Sequence, residues 1–194
     1  MERVLAFKES PRLSTPLRFF LSAPAFALLA GLLLLWSGPQ TFTTRWGVST
    51  LAATHLLTLG FLGSVMIGAL MQILPVVTRI AVPWRDTSSI TIHLLLTLGT
   101  LLLAAAFLST HAVLFRLAIV CLVGCFSWLL AICALGLWRA HSDPSARSNA
   151  TLRSIRLALI ALTLTVTLGV SLASAFAWSI TPPLTLPLLT DLHV

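Results

Sequence analysis

The chain has 194 residues, of which 58% are hydrophobic and only 9% charged, and its mean hydropathy is +1.01. A water-soluble domain carries about a quarter of its residues as charged side chains, so this chain cannot wet its own surface. It is equally far from the polar composition of a disordered one. What remains is an all-α class, a polytopic transmembrane helix bundle, and the gaps between charges count its crossings.

In chain order, Arg18 to Arg45 leaves 26 uncharged residues, Arg45 to Arg79 leaves 33, Asp86 to Arg116 leaves 29, Arg116 to Arg139 leaves 22 and Arg156 to Asp191 leaves 34. A helix needs about 20 apolar residues to cross the hydrocarbon core. Each gap holds one span and none holds two with a turn. The predicted spans are 18–36, 50–74, 90–109, 113–138 and 157–178. They must be helical, because lipid offers free backbone groups no partner; no strand-like alternation points to a barrel. Pro24 is expected to bend the first span slightly. Ser37-Gly38-Pro39 is expected to stop it, Pro75 to end the second, Pro83 and Ser142-Asp143-Pro144 to mark later connections, and Pro182-Pro183 to end the fifth. Residues 181–194 read either as an outer tail or as the start of a truncated sixth span, with Thr190 or Asp191 as its cap.

The basic residues sort by side. Arg3, Lys8, Arg12, Arg18, Arg79, Arg85, Arg139, Arg147, Arg153 and Arg156 fall on one side of a five-span chain, and only Arg45 and Arg116 on the other. The positive-inside rule puts the amino terminus in the cytoplasm and the carboxyl terminus outside, as for a bacterial-type inner membrane protein. The net charge of +7 is thereby explained by topology and by anionic lipid headgroups, and nucleic-acid binding is not indicated. Trp36, Trp46, Trp84, Trp138 and Trp178 lie near span ends as an aromatic belt, and Trp128 lies deeper. The run from Leu17 to Trp36 is long for a signal-peptide core and reads as a retained first span.

Chemistry is confined to few residues. His55 lies about two turns inside the outer end of the second span; an ionisable side chain at that depth is a functional candidate, and a neutral imidazole is a ligand for haem iron, copper or zinc. The bland alternative is a histidine hydrogen-bonded to a neighbouring helix or to interfacial water. Beyond it Gly60, Ser64 and Gly68 recur every four residues, a ridge for close helix approach within the chain, with another subunit or with a second copy. At 100° per residue that ridge points away from His55, whose own face would hold Leu59, Leu62, Met66 and Ile73, open to a flat apolar ligand. Gln72, roughly 25 Å further along the helix, cannot share a site with His55.

His55, Gly60, Gly68, Gln72 and Pro75, in HLLTLGFLGSVMIGALMQILPVV, resemble the second span of the haem-copper oxidase subunit I-like membrane proteins, and more closely their NnrS-type relatives. The resemblance covers this one span. It implies axial haem ligation by His55 and a link to respiratory electron transfer or nitrogen-oxide metabolism. Those families have about twelve spans and further histidines in later helices, which this sequence does not supply. His193 would stand where the next span of a fuller relative opens.

His111, in the short outer turn, and His193 lie on the same predicted side as His55 and could join it at one metal or haem; loop histidines more often face water. His93 opens the third span on the cytoplasmic side, and His141 sits in a basic loop. Cys121, Cys125 and Cys133 fall inside the fourth span. The first two are one turn apart and read as small buried packers before they read as soft-metal ligands. Arg116 can snorkel to headgroups or meet an anion. Thr163, Thr165, Thr167, Ser171 and Ser174 of the fifth span can bond back to their own helix. No carboxylate is expected within a span, which argues against an acidic proton relay. Two classes survive: a haem-binding membrane protein, not catalytic by this chain alone, and a small transporter-like or structural membrane subunit without cofactor.

Overall fold

The computed structural model describes residues 12–78, 85–141 and 150–178. The expectations placed on residues 181–194, including His193, therefore lie outside the described residues. Among those described there is helix and turn and no strand. Helix α1 spans Ser14–Ser37, followed by a 3₁₀ turn at Gly38–Phe42. The next crossing is continuous but composite: α2 (Val48–His55), a π-helical segment Leu56–Gly63, and α3 (Ser64–Thr78). Then come α4 (Arg85–Ser109), α5 (Ala112–His141) and α6 (Ala150–Trp178). Five helical runs are long and apolar enough to cross a bilayer.

The helices outrun the charge-free gaps. Asp86, Arg139, Arg153 and Arg156, placed in connections by the sequence, are helical, and α6 begins at Ala150 rather than near 157. The reason is length: the 29 residues of α6 reach about 44 Å at the standard rise, and only about 30 Å of that needs to be apolar. The end turns are thus long enough to reach headgroups, where an arginine is at home. Pro75 does not end its helix either; α3 continues to Thr78, since neighbouring helices can re-satisfy the backbone group that proline leaves without a partner.

The terminators of the first hairpin act as expected. Gly38 takes φ +65° and ψ −162°, a conformation open to glycine, and its N–H bonds to the Leu34 carbonyl. The α4–α5 turn has a less accommodating residue. Thr110 closes α4 through its N–H to the Ala106 carbonyl (2.8 Å) while holding φ +56°. A β-branched residue adopts that left-handed conformation at a cost of about 1–2 kcal/mol.

Lipid tails are as apolar as leucine, so these helices are held by close packing and hydrogen bonds rather than by escape from water. The Gly60–Gly68 ridge supplies such packing within the chain. A Cβ at Gly60 would fall on the Phe26 ring, and one at Gly68 would lie 3.0 Å from the Phe19 Cβ and 3.3 Å from the Pro16 carbonyl. With Ser64 fully buried between them, this ridge is taken up by α1. Likewise α4 rides on α5 at Gly99, where an added Cβ would come within 2.8 Å of Leu122 and 3.1 Å of Cys121. Helix α6 is peripheral: it packs mainly on α5, and of its residues only Leu152 and Ala177 are buried.

Candidate functional site around His55

His55 is the last α-helical residue before the backbone widens into the π segment. Its Nδ1 lies 2.7 Å from the Leu51 carbonyl, one turn back. A carbonyl only accepts, so Nδ1 carries the hydrogen, and in the neutral ring the lone pair is on Nε2. The half-buried imidazole packs on Phe107 of α4, centroids 5.1 Å apart and planes tilted by 34°.

Phe107 belongs to a cluster that gathers four helices at the end of the bundle bearing Thr110. It meets Phe115 of α5 edge-on at 5.3 Å and Phe176 of α6 at 6.4 Å, while Phe115 and Phe176 stack at 5.3 Å. Aromatic pairs of this geometry contribute about 0.5–1.5 kcal/mol each beyond area. At the margin, Arg116 donates from Nε to the Ala177 carbonyl (2.9 Å), and its guanidinium stands 5.6 Å from the Trp178 ring centroid. The cluster gave no periodic signal in sequence; its phenylalanines are 8 and 61 residues apart and meet only because the helices turn back.

The face assigned to His55 from a uniform 100° step is not one face. Leu59 packs against the core, whereas Leu62, Met66 and Ile73 are exposed. The π segment advances each residue by less than an α-helix does, so positions after it fall out of the straight-helix phase. The ridge and the histidine do serve different neighbours: Gly60 and Gly68 meet α1, and His55 meets α4.

His111 is exposed in the α4–α5 turn, where its carbonyl accepts from the Leu114 and Phe115 N–H groups. No group of three or more His, Cys, Asp or Glu able to hold a metal occurs among the described residues. The thiols are packers there: Cys121 borders Gly99, Cys125 is buried with Sγ 3.5 Å from the Ile92 carbonyl, and Cys133 is buried.

His93 is better connected than its sequence context indicated. Its Nε2 lies 3.0 Å from Ser22 Oγ, which itself donates to the Phe19 carbonyl (3.1 Å), and the imidazole meets the Phe19 ring edge-on at 5.2 Å. Because the serine hydrogen is committed to Phe19, Ser22 accepts and His93 Nε2 donates. His93 thus ties α4 to α1. Along α6, the hydroxyls of Thr163, Thr167, Ser171 and Ser174 each bond back four residues to a carbonyl at 2.7–2.9 Å.

Comparison with protein-family models, with curated proteins and with solved structures found no match.

Proposed function

We propose that this multi-pass protein is a bacterial-type inner membrane subunit in which His55 would hold the iron of a haem, in the service of respiratory electron transfer or nitrogen-oxide metabolism. The observation that carries the reading is the Nδ1–Leu51 contact, which fixes the tautomer of the imidazole and the plane of its ring. Metal-ligating histidines characteristically anchor their other nitrogen on a carbonyl or carboxylate in this way. A bound haem would supply one-electron chemistry. This chain's part is to orient the imidazole, with Leu51 and Phe107 fixing its plane, and to keep its surroundings apolar.

Among the described residues His55 is not part of any group of three or more ligating side chains, so a further ligand from another subunit or another copy belongs to this reading, and catalysis is not assigned to this chain alone. In the membrane the His55 end faces outward and the arginine-rich connections face the cytoplasm, because ten of twelve basic residues gather on that side. An optical spectrum of protein purified from haem-replete cells tests the ligand: a Soret band lost in His55→Ala is expected, and a colourless wild-type protein sinks the reading. Reporter fusions after Arg147 test the sidedness; a periplasmic signal there overturns it.

The second reading, a cofactor-free structural or transporter-like subunit, is favoured by the same ring's contact with Phe107. There His55 is a packing residue whose polar atom is satisfied by its own helix.

A further inference from the structure

A hollow of about 610 Å³ opens at the Thr110 end of the bundle, where the end of α1, the 3₁₀ turn, the start of α2 and the end of α4 meet. It lies apart from the His55–Phe107 contact, and neither of those residues lines it. Hydrogen bonds hold its frame. Ser37 Oγ donates to Ser49 Oγ (3.0 Å), tying α1 to α2, and Thr50 Oγ1 donates to the Thr41 carbonyl (2.5 Å), tying α2 to the turn. This volume is in the range of small-molecule sites.

Two features specify its chemistry. Thr41 lines the hollow at 4% exposure, yet among the described residues its Oγ1 has no hydrogen-bond partner. Such a hydroxyl costs about 1–3 kcal/mol until something bonds to it. Ser49 accepts from Ser37 and keeps its own hydrogen to donate, and Gln40 adds an amide. The second feature is charge: among the described residues the lining holds no ionisable side chain. A phosphate or carboxylate entering it would lose water without gaining a cation. Opposite the polar groups stand Leu33, Trp36 and Leu108, with Trp36 90% exposed at the level where an amphipathic ring marks a membrane interface.

We propose that this hollow binds a lipid with a neutral, hydroxyl-bearing headgroup, a glycerol or a sugar, with Thr41 and Ser49 bonding the head and Leu33, Trp36 and Leu108 receiving the start of the chain. The site is independent of haem binding at His55.

The test uses the full chain in phosphatidylcholine nanodiscs with three photoactivatable lipids carrying the same diazirine acyl chain: diacylglycerol, glucosyl-diacylglycerol and phosphatidylglycerol. Cross-links are mapped by peptide mass spectrometry. At least one neutral lipid is expected to label residues 33–50 roughly fivefold more than phosphatidylglycerol, the ratio worth one net hydrogen bond of about 1 kcal/mol. The stronger of the two neutral lipids separates glycerol from sugar as the natural head. Thr41→Val is expected to abolish the preference while labelling of α6 by the same lipids stays level. Equal labelling by all three in wild type, or labelling of residues 33–50 no higher than that of α6, overturns the proposal. So does a preference undiminished in a folded Thr41→Val; if that variant fails to fold, the wild-type ratios and Ser49→Ala decide.

Discussion

Arg116 of α5 reaches the carbonyl of Ala177 in the last turn of α6 at 2.9 Å and spreads over the neighbouring Trp178 ring. A helix end leaves carbonyls without intrahelical partners and carries partial negative charge, so a guanidinium there is both cap and counter-charge. The contact adds to the Phe176 stack and to the partly buried Ile155, Leu159, Leu162 and Val166 in holding α6. Only Leu152 and Ala177 of that helix are fully buried, and the hydroxyls of Thr163, Thr167 and Ser171 are turned back onto its own carbonyls.

Arg116→Ala should therefore loosen α6 at one end and leave the other four crossings in place. Hydrogen bonds to charged groups are worth about 1.5–3 kcal/mol, which corresponds to an increase of ten-fold or more in amide exchange over residues 170–178. Arg116→Lys should recover only part of the protection, since an ammonium keeps the charge but loses the planar stack on Trp178. Exchange mass spectrometry in detergent reads both; unchanged protection in the alanine variant would show that α6 is held by its apolar contacts alone.

Gly60→Ala places a methyl group on the Phe26 ring. The expected cost is about 1–3 kcal/mol for overpacking, seen as a lower unfolding midpoint. Phe26→Leu in the same chain should restore most of it by making room. A Gly60→Ala protein as stable as wild type would mean that α1 does not lie on this ridge.

The His93–Ser22 bond is a polar tie between α4 and α1 inside an apolar bundle. Interhelical hydrogen bonds in membranes average about 0.6 kcal/mol, so the coupling energy from a double-mutant cycle of His93→Leu and Ser22→Ala should be of that size. Ser22→Ala alone should cost more than the double variant, because it leaves the imidazole N–H without its acceptor. A coupling of zero would remove the tie.

These contacts differ in how visible they were beforehand. The five crossings could be read from the gaps between charges, because the cost of putting a charge in hydrocarbon is larger than any local preference. The glycine ridge could be read as a packing surface, though not its partner: nothing in the sequence says that Gly60 meets Phe26 rather than a second chain. The helix ends were misjudged at Asp86, Arg139, Arg153 and Arg156, since a charge marks the edge of hydrocarbon and not the end of a helix. The π segment after His55 left no mark in composition, and with it went the phase of Leu62, Met66 and Ile73. The meetings of His55 with Phe107 and of His93 with Ser22 are set by helix rotation and depth, which an apolar sequence records poorly.

Thr110 sits at φ +56°, where a branched Cβ is crowded and glycine is not. Thr110→Gly should raise stability by up to about 1 kcal/mol, the relief being partly offset by glycine's greater freedom in the unfolded chain. A drop in the unfolding midpoint would mean that the Thr110 side chain, whose Oγ1 lies 2.7 Å from the Ser109 carbonyl, contributes more than its backbone conformation costs.

The two readings of His55 part at a single substitution. Phenylalanine keeps a flat ring against Phe107, which lies 5.1 Å away, but removes Nε2 and the Nδ1 bond to Leu51. If the residue serves packing alone, His55→Phe should fold with a midpoint close to wild type, because an aromatic pair of about 0.5–1.5 kcal/mol replaces the one lost. If it is the haem ligand, the same well-folded variant should lose the Soret band entirely, and His55→Met should keep a band at a shifted position because a thioether is itself an axial ligand. A His55→Phe protein that remains folded and retains an unshifted band would assign the haem to another residue and leave His55 as a strut between α2 and α4.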